Sequence, residues 1–128
     1  MRPVRSVRRP GLRGQAGMVT AETAVVLPVL LLVLAGAVAA ITVVGAQLRC
    51  VDAAREAARA AARGEEPAAV TAWAGRAGPP GVRTEVATTG DEVLVTVSAE
   101  IAPLGPLPWR VTVSARAVAG QEPGGPSG

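Results

Sequence analysis

Two side chains carry most of the reactive chemistry in this sequence. Glu22 is a carboxylate at the edge of a long apolar run, and Cys50 is the sole thiol. There is no His, Tyr, Phe or Lys, and the aromatic residues are Trp73 and Trp109. Most zinc sites and every histidine-based triad are therefore excluded. Asp91 and Glu92 adjoin in a turn, which suits solvation better than acid–base work. Thr20, Thr23, Thr42 and the few serines have no identifiable base, and the Gly-rich end at 120–128 resembles no phosphate-binding loop. No enzymatic activity, cofactor or metal site is expected. A single cysteine cannot close an internal disulfide, which leaves two readings for Cys50. It is either a small buried hydrophobe or a thiol available for an intermolecular bond.

The element that must position both residues is the run from Ala24 to Ala46, twenty-three residues without a charge. As a helix rising ~1.5 Å per residue it covers ~34 Å, enough for the ~30 Å hydrocarbon core of a bilayer. A buried core helix is the competing reading, but the chain is too short to wrap protein around so long an apolar rod. Before the run, residues 1–17 hold Arg2, Arg5, Arg8, Arg9 and Arg13 and no acid. Positive charge beside an apolar segment stays on the cytoplasmic side. The N-terminus is therefore expected inside and the bulk of the chain outside, as a single-pass protein of the cytoplasmic membrane.

Charge away from that leader argues against nucleic acid as a partner. The sequence pI near 10.9 comes from the leader. Removing its five arginines from thirteen basic residues leaves eight against ten acids, a net of −2. No basic surface remains for a nucleic acid to use.

At the junction the sequence reads "RGQAGMVTAETAVVLP". Glu22 lies at the lip of the hydrocarbon, where an ionised carboxylate is costly unless paired. This stretch resembles a type IV prepilin processing site. The chain as a whole most resembles the TadE-like minor pilins of the tight-adherence (Flp) pilus system. The resemblance rests on "TAETAVVLPVLLLVLAG" at 20–36 and "RCVDAAREAARAAARG" at 49–64, and it covers about residues 14–64. Family members commonly carry an aromatic residue beside the Glu, where this chain has Thr23. The resemblance implies cleavage after Gly17 by a prepilin peptidase and Met18 as the first, methylated, mature residue. It also implies that Glu22, the fifth mature residue, pairs with the freed amine in assembly. The implied partners are the membrane, that peptidase, other pilin-like subunits and the pilus assembly platform.

The remaining pattern gives an α+β class, a long N-terminal helix packed against an antiparallel sheet of about three strands. Residues 1–17 form the leader, 18–46 the membrane segment and 47–64 an amphipathic continuation. Pro28 is expected to kink the membrane helix, and Gly36 with Ala40 offers a small-xxx-small contact for another helix. In the continuation, Arg49, Asp52, Arg55, Glu56, Arg59 and Arg63 share a sector about 120° wide. Ion pairs are expected at Arg49/Asp52, Asp52/Arg55 and Glu56/Arg59. Leu48, Val51, Ala54, Ala58, Ala61 and Ala62 are read as the opposite, packing face, and Gly64 as the stop.

Residues 65–81 read as a short helix over 65–73, opened by Pro67, and a Pro/Gly linker from Gly75. The period then changes to 2 over 82–119. Strands are expected at Val82–Thr88, from Val93 to Ile101, and from Trp109 to Ala117, with a turn at 89–92. The tail 120–128 has nothing to bury and is expected to be disordered.

A structural subunit of a pilus or a related secretion apparatus is the leading functional expectation. Two others stand beside it. One is an uncleaved bitopic anchor whose external domain binds a partner. The other is a secreted domain released by signal peptidase within "AGAVAA" at 35–40. The mature N-terminal residue separates them: Met18, Met1, or one near Ala40.

Overall fold

The computed structural model describes residues 2–4 and 13–121, in the order α1 (Arg13–Ala62), α2 (Pro67–Ala77), β1 (Arg83–Thr89), β2 (Glu92–Ile101) and β3 (Val111–Gly120). The leader arginines Arg5, Arg8 and Arg9 and the tail beyond Gln121 lie outside the described residues. The chain divides into two compact units, residues 1–37 and 38–128.

In the first unit α1 runs through Pro28. Its Val and Leu side chains from Val25 to Leu34 are all exposed. One stretch of α1, Gly17–Ala62, is long and apolar enough to cross a membrane, and none of its most apolar window, of mean hydropathy 2.9, is buried. An exposed surface of that size is unfavourable in water and natural in lipid or against other apolar helices.

The second unit is the α+β body. All three strands are antiparallel in the order β1-β2-β3. Val93, Val95, Val97 and Ala99 alternate inward along β2, as a strand with one covered face requires. Val113 continues that face on β3. Facing them along α1 are Ala46, Cys50, Ala53, Ala54, Ala57, Ala58, Ala60 and Ala61, all buried. These positions follow the i, i+3, i+4, i+7 spacing of one helix face. Val70 and Ala74 of α2 complete the core. Outside the apolar packing, Gln47 Nε2 donates to the Ser114 carbonyl at 2.8 Å, tying α1 to β3.

Gly64 ends α1 through its positive φ of 77°. The Gly64 N–H donates to Ala61 O at 3.0 Å and the Glu65 N–H to Ala60 O at 3.2 Å. That pair of bonds is the Schellman arrangement, which satisfies carbonyls a helix end leaves open. Pro67 then opens α2 at a position where a missing N–H costs nothing. The corner is clamped by Glu65, which accepts from Arg63 at 2.6 and 3.0 Å and from Trp73 Nε1 at 2.9 Å. The Arg63 hydrogen bond, with help from Trp73, holds the Glu65 carboxyl below its ordinary pKa. Arg76 lies over the Trp73 ring at 4.4 Å, a cation–π contact. Between β1 and β2 the loop is Gly90–Asp91, with φ of 60° at Gly90 and no positive φ at Asp91. That pattern fits a type II′ turn, whose twist matches a hairpin.

Several local expectations need correction. Leu48 is 61% exposed and outside the core; at 100° per residue it projects among Asp52, Arg55 and Arg59. Of the three ion pairs, Glu56–Arg59 forms at 3.2 Å, whereas Arg49, Asp52 and Arg55 close none among the described residues. Exposed charges gain so little from pairing that solvation competes on equal terms. α2 continues through Gly75 to Ala77, because burial of Ala74 and the stacked Arg76 outweigh one glycine's cost. β3 starts at Val111, leaving Trp109 outside it. At its far end Gly120 still pairs with Glu92, and Gln121 N–H donates to Asp91 O at 2.7 Å. Those two residues therefore belong to the sheet and not to a loose tail.

The alanine–valine seam leads to two expected outcomes. Ala57→Leu inserts three carbons where exposure is 0% and should destabilise the second unit by ~1–3 kcal/mol, whereas Ala68→Leu on the exposed side of α2 should stay within ~0.5 kcal/mol. Chemical denaturation of the two variants measures the contrast. Cys50, also fully buried, should resist alkylation in the native protein and react fully in denaturant. Mass spectrometry after a thiol reagent reads that directly.

Candidate functional site

Gly17, Met18 and Glu22 all lie within α1, in its first unit, and all are exposed. Met18 is 74% exposed. A methyl group placed on Gly17 would meet nothing within 4 Å in the folded chain. Packing within the chain therefore does not demand a glycine there. Met18 and Glu22 are four residues apart, which puts them on one helix face with backbones ~6 Å apart along the axis. Glu22 closes no ion pair among the described residues. Two threonine hydroxyls along α1 are satisfied by their own helix. Thr23 Oγ1 donates to Val19 O at 2.8 Å and Thr42 Oγ1 to Val38 O at 2.9 Å. Such back-bonding lets a hydroxyl sit in an apolar segment with its donor satisfied.

Cys50 belongs to the second unit and its surface is wholly covered. Burial pushes its thiol pKa up, which keeps it protonated and a poor nucleophile. Pairing with a second chain would need the seam between α1 and the sheet to open. Among the described residues no group of three or more His, Cys, Asp or Glu could hold a metal ion.

Two surface features of the second unit were not legible in the sequence. One is a groove of about 280 Å³ on the outer face of the sheet, lined by Arg83, Ser98, Glu100, Arg110 and Thr112 among others. Strand pairing assembles it, since Arg83 stands opposite Ser98 and Glu100 opposite Thr112. The second is an apolar groove of about 320 Å³ where Ile101, Pro79 and Pro80 approach Ile41, Gly45 and Ala46 of α1. The residues of the first are spread over about thirty positions and those of the second over about sixty, and only tertiary packing collects them.

The chemistry of the chain is thus concentrated in an exposed Gly–Met–Glu segment leading an apolar helix. Comparison with known proteins matches that segment. The family described as TadE-like protein matches residues 17–59, beginning at Gly17 and ending within the charged half of α1. The protein named apoptosis inhibitor Rv3655c, of Mycobacterium tuberculosis, is 41% identical over 103 residues, which span 80% of this chain and 78% of that protein. No solved structure matches. A likeness of that extent, together with the family match across α1, establishes that this chain belongs to the TadE-like family.

Proposed function

We propose that this protein is a minor pilin-like subunit of a tight-adherence pilus or a related secretion apparatus, matured by a prepilin peptidase between Gly17 and Met18. Membership of the TadE-like family suggests a pilus-associated role, and α1 supplies a candidate membrane anchor. The observation that carries the finer reading is the exposed Gly17–Met18–Glu22 segment on the helix that becomes the apolar run. Gly17 and Gly14 weaken that part of α1 by ~1 kcal/mol each relative to alanine. A peptidase needing an extended strand could therefore unwind it at modest cost. Cleavage would create an amine at Met18 one helical turn from Glu22. The carboxylate could then pair with its own amine or a neighbouring subunit's. In an apolar bundle such a pair offsets much of the cost of burying each charge and fixes the register between helices. The arginine leader would remain in the cytoplasm, and the second unit would stand outside.

A second reading comes from the relative, whose name records inhibition of apoptosis. Shared activity would reside in the exported second unit as a binding surface. Purified second-unit surface variants, scored for that activity, would separate it from assembly.

Three outcomes are expected. Gly17→Leu should abolish processing, read as retention of the leader by mass spectrometry of the membrane-bound protein; normal maturation would refute the peptidase assignment. Residues 47–128 should be digested by protease added from outside the cytoplasmic membrane and protected in inverted vesicles. Glu22→Gln should insert and mature normally yet fall out of complexes with other pilus subunits. Removing one member of a buried pair typically costs ~3–5 kcal/mol, ample to deplete an assembly. Full recovery of the Gln variant in the assembled fraction would leave Glu22 as no more than a favourable helix-end charge.

A further inference from the structure

The end of the sheet that carries Ile101 also carries an exposed apolar loop and arginines with no ion pair. The loop joins β2 to β3 through residues 102–110, "APLGPLPWR". A turn closed by Gly105 N–H to Ala102 O at 3.2 Å and three prolines stiffen it. It nevertheless presents Trp109 at 68% exposure and Leu107 at 52%. The described residues leave more than half of each side chain uncovered, and a Trp close in sequence to a Leu is costly to leave in water.

The orientation of this end follows from two contacts. Gln47 bonds Ser114, and Ile101, which stands opposite Val111, lines the apolar groove with Ile41, Thr42 and Gly45. Moving three residues along β3 from Ser114 to Val111 covers ~10 Å, and moving from Gln47 to Ile41 along the helix covers ~9 Å. Within the second unit the 101/111 end of the sheet therefore lies at the Ile41 level of α1, and the 102–110 loop leaves from that end. On the side of α1 away from the sheet, Val44 and Leu48 stay exposed up to Arg49 and Asp52. The helix thus changes from apolar to charged at Arg49, ~12 Å along α1 from the Ile41 level where this loop emerges.

Arg83 and Arg110 line the groove beside the loop with Ser98 and Thr112, and Arg49 marks the helix at the same end. Among the described residues none of these three arginines closes an ion pair. Glu100 shares the groove, which leaves two cations against one anion there. Apolar tips and a tryptophan at the loop, with guanidinium groups beside and beyond them along the sheet and helix, match the layering of a bilayer surface. Trp and Leu suit the boundary of the acyl chains, and arginines suit the phosphates just above it.

We infer that the 102–110 loop and Arg49, Arg83 and Arg110 seat the second unit on the anionic phospholipid surface from which its own helix emerges. The occupant is lipid because the apolar loop is continuous with the end of a membrane-length apolar run, and the flanking unpaired charge complements lipid phosphate. The domain is then held down by its own surface as well as by its anchor. Extraction into an assembly would require the Trp109 loop to leave the membrane. The inference rests on the proposed function only in taking the apolar run to lie in a bilayer.

The test uses the full chain in mixed phosphatidylcholine–phosphatidylglycerol vesicles, with Trp73→Phe leaving Trp109 as the reporter. Alkaline carbonate extraction reports first whether the apolar run is inserted. Brominated phospholipid should then quench Trp109, and acrylamide in the water should reach it poorly. Should Trp73→Phe not fold, the difference between the unmodified chain and Trp109→Phe isolates the same signal. Arg83→Gln with Arg110→Gln should shift Trp109 toward water, by about fivefold in the seating equilibrium for each arginine removed, and vesicles without phosphatidylglycerol should do the same. An inserted protein whose Trp109 is open to acrylamide and blind to brominated lipid would overturn the seating while leaving the proposed function intact. Loss of the protein in carbonate would overturn both. Protection that rises with protein density, and not with lipid charge, would assign the surface to a second copy and also overturn the inference.

Discussion

The α+β body depends on how closely a helix can approach a sheet. The face of α1 that meets β2 is made almost wholly of alanine, with Cys50 as its largest member. Alanine side chains let the helix backbone settle near the valine row Val93–Val95–Val97, and the valines fill the space the alanines leave. Such a core gains little from any one residue, since an alanine buries few carbons. It compensates through fit, because interiors near crystal-like density lose contacts when either surface is enlarged or retreats. The same choice of residues favours the helix intrinsically, for alanine is the strongest helix former. One composition thus serves both the local structure and the packing. The corner at Gly64 and the Glu65–Trp73–Arg76 cluster then turn α2 back to cover what α1 leaves open.

The first unit obeys the opposite rule. Its Val and Leu side chains are large, and nothing in the chain covers them. Backbone groups in hydrocarbon must be satisfied within the segment, which a continuous helix does, and the Thr23 hydroxyl there bonds to its own helix. Glu22 adds an ionisable carboxylate at the edge. For a TadE-like protein, a helix with one acidic residue near its start can rest in a membrane and also gain from a partner that supplies a positive charge.

Between these regimes lies the narrow zone from Ile41 to Arg49. Here one side of α1 faces Ile101, Pro79 and Pro80, and the other side stays apolar. The chain spends its exposed tryptophan and several unpaired arginines at this same end. In a soluble domain that expenditure would be hard to justify; beside a lipid surface each residue has a medium that suits it.

What the sequence by itself determined was whatever can be read from neighbours along the chain. The uncharged run Ala24–Ala46, the all-arginine leader, the Gly17–Glu22 spacing, the change of period after residue 81 and the stop at Gly64 are all local patterns. Each reflects a constraint that acts over one or two turns or a single strand. Fold class and family followed from them. The tertiary structure decided which residues of the amphipathic helix face inward, hiding Cys50 and exposing Leu48. It also decided that α2 passes through Gly75, that β3 begins only at Val111, and that Arg83 and Arg110 share a groove. These outcomes depend on register between segments far apart in sequence. A strand that slips by one residue reverses every side chain on it, so cooperative packing of the whole seam fixes a register that short-range pattern leaves open.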